Sequence, residues 1–172
     1  MKGERIAKVM ARAGLCSRRQ AERWIEAGRV KVEGRTLTSA AVTVTPKSRI
    51  EVDGKTLSAA GQTRLWRYHK PAGLITSHRD PEGRPTVFEH LPKSLVRVIS
   101  VGRLDLSSEG LLLLTNDGEL ARSLELPRTG WTRRYRVRVF GGVVEARLAE
   151  LKNGLTTGGG DYGPIDAKLD RI

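Results

Sequence analysis

The residues best suited to chemistry are an arginine and an acid two positions apart, just ahead of an apolar run. Gly102-Arg103-Leu104-Asp105 leads, four residues later, into Gly110-Leu111-Leu112-Leu113-Leu114-Thr115. That run reads as a short strand buried on both faces, which puts Asp105 in the loop entering a core edge. A carboxylate there stays ionised only beside a cation or backbone amides, and Arg103 is the nearest cation in sequence. From these four residues alone, a structural Asp-Arg turn pair is the simpler reading and a reactive carboxylate the alternative. A hydrolase working with two carboxylates needs a second acid at a fixed separation. Glu109 is close in sequence, but nothing in the spacing positions it. Farther along, Arg134-Tyr135-Arg136-Val137-Arg138-Val139-Phe140 alternates as a strand does, with arginines on one face and Tyr135, Val137 and Val139 on the other. Tyr135 fits ordinary core packing as well as it fits a flat ring offered to a ligand.

A second cluster is basic. Arg18, Arg19 and Arg23 sit at the start and along one expected helix, and Arg29 and Lys31 follow its end. A helix N-terminus beside arginines is a seat for phosphate, because free amides and guanidinium forks both face the anion; the alternative is a solvated charged face. Overall, 31 Lys+Arg against 19 Asp+Glu in 172 residues give a formal charge of +12. This favours a polyanionic partner, with nucleic acid ahead of lipid because no run approaches a membrane span. The start, with Glu4 and no long apolar stretch, does not read as a secretory signal. Cys16 is the single cysteine, which excludes an internal disulfide and a multi-cysteine metal site and fits a reducing cytoplasm. His69, His78 and His90 lack metal-ligand spacing. Gly158-Gly159-Gly160 lacks the Lys-Ser/Thr of a phosphate loop.

These residues need a scaffold. Ile6, Val9, Met10 and Ala13 recur at helical spacing up to Gly14. Ser17 and Gln20 have the form of a capping box for a second helix with Ala21, Trp24 and Ile25 on its apolar face, closed at Gly28. Residues 29–37 and 49–57 are loose copies of each other, each an alternating strand meeting an acid-Gly turn, and are expected as hairpin strands of one small sheet. Ser58 to Thr63 reads as a linker. Beyond it, 65–70 is a strand broken by Pro71 and Gly73. Residues 79–85 form a turn-rich loop. Asp117 caps a helix that Pro127 stops. Residues 134–140 form a strand, Val144, Leu148 and Leu151 line a helix ending at Gly154, and 158–164 is a flexible loop.

Taken as longer strings, two stretches resemble known families. Residues 4–57, with Ala13-Gly14, Ser17-Arg18-Arg19, Ala21-Glu22 and Gly28-Arg29-Val30, resemble the S-four-like RNA-binding domain. Glu33 stands where that family often has Asn. Gly102-Arg103-Leu104-Asp105, Ser108-x-Gly110 and the Leu-Leu-Leu-Leu-Thr-Asn-Asp-Gly that follows resemble the pseudouridine synthases of bacterial ribosomal RNA. The likeness is to the branch holding the small-subunit uridine enzyme and its large-subunit relatives. Lys70-Pro71-x-Gly73, with His69 where Asn is common, the loop from Asp80 to Val87, and Arg134-Tyr135-x-Val137 add to it.

The resemblance implies an α+β fold: a two-helix-plus-strands RNA-binding module over 1–57, a linker at 58–63, and the N-terminal portion of a mixed, largely antiparallel catalytic domain over 64–172. It implies that Asp105 is the catalytic carboxylate, acting as nucleophile, as base toward the ribose, or by offsetting charge on an oxocarbenium-like sugar. Tyr135 would pack on the extruded uracil, and Arg103 would hold the phosphate region of the flipped nucleotide. Ser17, Arg18, Arg19, Arg23, Gly28, Arg29 and Lys31 would bind RNA. No metal or organic cofactor is implied, since the isomerisation changes neither redox state nor composition. The expected partner is ribosomal RNA or a ribosome-assembly intermediate, met in the cytoplasm by a monomer without membrane attachment. The loop from Asp80 favours the large-subunit RNA. Family members continue past the segment matching 160–172 into a basic run whose arginine pairs with the catalytic Asp, so a C-terminally truncated chain is expected. The alternatives are a non-catalytic RNA-binding or ribosome-assembly factor, or an inactive fragment of the synthase.

Overall fold

The computed structural model describes residues 3–170. Met1 and Lys2, the start of the segment read for a leader, and Arg171 and Ile172, the end of the expected second domain, lie outside them. The fold is α+β, and among the described residues every pairing between strands is antiparallel, a lone parallel bridge joining Ile75 to Thr86. The chain forms two compact units that divide between Trp131 and Thr132.

The first unit opens with β1 (Glu4–Arg5), α1 (Ile6–Arg12) and α2 (Arg18–Glu26). The expected cap forms: the Ser17 hydroxyl accepts from the Gln20 amide at 3.1 Å. Gly28 closes the second helix at φ 70°, a conformation that disfavours any residue with a Cβ. The two sequence copies become two hairpins, β2–β3 (Val30–Val32, Arg35–Thr36) and β5–β6 (Ile50–Val52, Lys55–Thr56), with β4 (Thr43–Val44) paired to β1 between them. The sheet order is β3-β2-β5-β6. Each hairpin turns on an acid-Gly pair with both residues at positive φ, Glu33 and Gly34 at 49° and 78°, Asp53 and Gly54 at 50° and 78°. This is the turn whose twist matches the flanking strands. The copies also lock each other. The Glu33 carboxylate accepts from the Arg49 amide at 2.8 Å, and Arg29 Nε and Nη2 donate to the Asp53 carboxylate at 2.9 and 2.5 Å. Ile6, Met10, Ala21, Ile25, Val30 and Ile50 build the core beneath.

A three-stranded sheet follows, in the order β7 (Leu65–Lys70), β9 (Gly110–Thr115), β8 (Ile99–Val101). Its core holds Leu74, Val87, Val98, Leu112 and Leu114. The apolar run is the central strand, yet burial on both faces does not hold: Leu112 and Leu114 are buried while Leu111 is 65% exposed. The core of Leu112 and Leu114 covers one side; on the other, Thr115 is fully buried, Leu113 is half-buried and Leu111 is in solvent. Asp117 caps α3 (Gly118–Glu125), accepting from the Glu119 and Leu120 amides, and Pro127 follows the helix stop. Asp117 also accepts from Thr63 Oγ1, and Asn116 holds the Gln62 carbonyl and the Arg64 amide. The last residues of the expected linker are thus fastened to this turn. Lys8 of α1 pairs with Glu119 of α3.

The second unit is small and mostly exposed. The strand expected over 134–140 is absent: these residues have no regular structure and are exposed throughout. Alternation records which residues share a face, but a strand exists only where a neighbour takes its backbone hydrogen bonds, and the described residues supply none. Val144 precedes α4 (Glu145–Glu150), and the chain turns at Gly154 as expected. A Cβ on Gly154 would lie 2.8 Å from the Tyr162 carbonyl oxygen. The loop expected over 158–164 is instead largely a hairpin, β10 (Leu155–Thr157) with β11 (Gly160–Tyr162), turning on Gly158-Gly159. The backbone leaves this turn through Gly160 at φ 124°, a conformation that disfavours any residue with a Cβ.

Candidate active site around Asp105

The segment 102–109 crosses from β8 to β9, and buried groups hold its backbone from beneath. Lys70, the last residue of β7, is fully buried. Its Nζ donates to the carbonyl oxygens of Pro71 at 3.1 Å, Asp105 at 2.9 Å and Ser108 at 2.7 Å. An ammonium makes three donations and accepts none, so this one is fully used by backbone carbonyls. Burial lowers its pKa below the ordinary lysine value, and the Asp105 charge works the other way. The buried Thr76 hydroxyl donates to the Leu104 carbonyl at 2.8 Å, and the Gly73 amide donates to the Leu106 carbonyl at 2.7 Å. The loop closes with a Ser108 amide to Asp105 carbonyl bond at 3.1 Å.

Above this frame, the Asp105 side chain is exposed and makes no hydrogen bond or ion pair among the described residues. The structural Asp-Arg pair that the bare sequence favoured does not form, because Arg103 is likewise exposed and unpaired among them. A carboxylate on a rigid backbone with its oxygens unspent is available to an incoming group.

The expected RNA-binding residues divide. Ser17, Arg19 and Arg23 line an open groove together with Arg103. Arg18 leaves them and lies beside Gly118. Arg29 is held by Asp53 and covers the Trp24 ring at 4.6 Å. Lys31 sits in β2 opposite Thr36 and Glu51. Gly28 ends α2. Tyr135 is 62% exposed in the second unit, outside any strand.

Lys70 and Thr76 went unread in the sequence as supports of this loop. A lysine ending an alternating strand reads as a solvent-facing charge, and only the following Pro-x-Gly hinted at a fixed turn. Among the described residues, no group of three or more His, Cys, Asp or Glu is placed to hold a metal ion, and no helix is long and apolar enough to cross a membrane.

Asp80 does most to order the turn-rich loop, with Glu82 pairing to the same Arg84 at 3.0 Å. Asp80 accepts from the Arg84 amide at 2.8 Å and from Arg84 Nε and Nη2 at 3.0 and 2.8 Å. The Arg84 side-chain bonds come first and its amide second in holding the Asp80 carboxyl at a pKa of about 2, below the ordinary value of 3.8. A depressed carboxylate contributes order above its ordinary value and loses it as pH falls through the folded value. The Arg84 amide is therefore expected to stay protected from hydrogen exchange at pH 4 and to lose protection toward pH 2. Asp80→Ala, which removes the acceptor, should remove that protection already at pH 7; unchanged exchange in the variant would contradict the assignment.

The chain is similar to known proteins over most of its length. The S4 domain family matches residues 4–50, and the RNA pseudouridylate synthase family matches residues 64–165. A Rickettsia bellii protein named "Uncharacterized RNA pseudouridine synthase" is 53% identical over 168 residues, covering 98% of this chain and 72% of that protein. "Ribosomal large subunit pseudouridine synthase B" of Salmonella typhi is 47% identical over 158 residues, covering 88% of this chain and 54% of its own length. A solved structure described as "Crystal structure of pseudouridylate synthase" superposes with a TM-score of 0.54 at 25% identity, covering 93% of this chain and 70% of that one.

Proposed function

The chain belongs to the RNA pseudouridylate synthase family, and from that premise we propose that it converts one specific uridine of ribosomal RNA to pseudouridine through the Asp105 carboxylate. Large-subunit RNA is favoured over small-subunit RNA, supported by the likeness to the Salmonella typhi protein and by the loop from Asp80. The observation that carries the reading is the contrast at Asp105: a backbone fixed by the buried Lys70 and Thr76 under a carboxylate that makes no hydrogen bond or ion pair among the described residues and feels the Lys70 cation only through space.

In the reaction the bond from ribose C1′ to uracil N1 breaks, the base turns, and a bond from C1′ to C5 forms. The proton leaving C5 is balanced by the one gained at N1, so no oxidant, reductant or cofactor is consumed. Asp105 serves as nucleophile at C1′ or as base toward the ribose, in either case opposite the positive charge that develops on the sugar. Arg103 binds the phosphate region of the everted nucleotide, and Tyr135 offers its ring to the uracil. Residues 1–57, read as the RNA-binding module, deliver the transcript to residues 64–172 across the short joining segment 58–63. The protein acts as a cytoplasmic monomer.

Unmodified ribosomal RNA transcripts of both subunits, incubated with the protein and mapped for pseudouridine, test this. One modified uridine is expected. Modification of neither transcript would leave a non-catalytic RNA-binding or assembly protein. Replacing Arg18 and Arg19 together by Gln should weaken RNA binding and lower its salt slope by about one for each phosphate no longer neutralised. An unchanged slope would remove both from the interface.

A further inference from the structure

The groove lined by Ser17, Arg19 and Arg23 belongs to both halves of the first unit. Its opposite wall is made by Arg79, Arg97 and Arg103. Glu125 is the one acid among its lining residues, and its carboxylate accepts from the Gly102 amide at 2.7 Å. The cavity, about 1090 Å3 and open to solvent, is at or above the upper end of what a small ligand needs, roughly 300–1,000 Å3. Its dimensions suit a length of polymer.

Arg97 stands apart from the other arginines. It is half-buried and makes no hydrogen bond or ion pair among the described residues, and its electrostatic neighbours are the Cys16 thiol and the His78 imidazole. A guanidinium withdrawn from water without an anion is costly, and a phosphate oxygen entering the groove would satisfy it. His78 and Phe88 supply the other half of the recognition. Their rings stack with centroids 3.5 Å apart at 17°, and both line the groove. Desolvation first, and the Arg97 cation second, push the His78 pKa down, which favours the uncharged ring. Arginines alternating with aromatic faces are what unpaired nucleic acid binds: cations for the backbone, flat rings for the bases.

We propose that this groove is a track for an unpaired RNA strand running between α2 and the Asp105 loop, with Arg97 as its central phosphate contact and the His78–Phe88 pair as its base platform. The proposal rests on the reading of the protein as an RNA-modifying enzyme and adds where the strand beside the target runs. An acidic polypeptide would satisfy the arginines but has no use for the aromatic pair.

The test is binding of a short fluorescein-labelled oligouridine to the full chain between 50 and 200 mM KCl. Arg97→Gln and Arg79→Gln are each expected to weaken binding severalfold and to lower the salt slope by about 0.7, the value for one phosphate of a single strand. Arg97→Lys should keep the slope, and Arg128→Gln, away from the groove, should bind like the unaltered protein. Arg79 is exposed, so its variant does not depend on Arg97→Gln folding well. Cross-links from 4-thiouridine in the oligonucleotide should map to segments 76–79 or 97–103. Glutamine variants that bind with unaltered affinity and slope would overturn the track, as would no binding by the unaltered protein or equal displacement by poly-glutamate. Pseudouridine formation on ribosomal RNA, measured on the same preparations, separates the two claims. Retained activity with unaltered oligonucleotide binding in the variants removes only the track, whereas no activity even in the unaltered protein removes the proposed function.

Discussion

Asp105→Asn is expected to lower pseudouridine formation at least about a thousandfold, the scale for removing a group that reacts directly, while RNA affinity stays within a factor of two. Asn keeps the size and shape of the side chain but neither attacks C1′ nor takes a proton, and it offers no charge to an oxocarbenium-like sugar. The structure explains why the rest of the protein should be indifferent. The Asp105 carboxylate makes no hydrogen bond or ion pair among the described residues and touches the frame only through its charge on Lys70, and the loop is held through the carbonyl oxygens of Leu104, Asp105, Leu106 and Ser108. A thermal midpoint near that of the unaltered protein should therefore accompany the loss of turnover. A variant that also unfolded would mean that the acid is structural after all.

Lys70→Met has the opposite signature: a large loss of stability first, with activity following. Methionine matches the length of the aliphatic stem but leaves the Asp105 and Ser108 carbonyls, and that of Pro71, without their shared donor. Leaving a buried acceptor without its donor costs about 1–3 kcal/mol, and with three carbonyls affected the loss is a large share of a small domain's total of roughly 5–15 kcal/mol. Urea unfolding should show a stability lowered by a share of that size. At temperatures where the variant is still folded, kcat should fall more than KM rises, because the loop that presents the carboxylate has lost its anchor at the Asp105 and Ser108 carbonyls while the RNA-binding surface is intact. A variant as stable as the parent would show that the three carbonyls find water or other donors.

Where local chemistry specified the outcome, the sequence could be read closely. Ser17 with Gln20 three residues on, Gly28, Asp117 and Pro127 each do one thing to the backbone, and each does it in the structure. The two acid-Gly pairs announced two hairpins. That their first strands pair with each other, Val30 opposite Val52 and Val32 opposite Ile50, depends on packing that neither copy encodes by itself. Readings that needed a neighbour fared worse. Leu111 shares a run with Leu112 and Leu114 but is 65% exposed, because its face of the strand is covered only toward the far end, where Thr115 is fully buried beside α3. Residues 134–140 alternate as a strand without a partner strand among the described residues. At the site, Asp105 stood out by its setting between Arg103 and the apolar run. Lys70 did not, since its role is made by two carbonyls more than thirty residues away, and carbonyls leave no trace in a list of side chains.

Site-resolved mapping of pseudouridine in ribosomal RNA, from cells lacking the gene and from the same cells given back either the native protein or its Asp105→Asn form, weighs the central claim most directly. One uridine, expected in the large-subunit RNA, should be unmodified in the deleted cells, restored by the native protein and left unmodified by the Asn form. An unchanged map on deletion, or restoration by the Asn form, would contradict it.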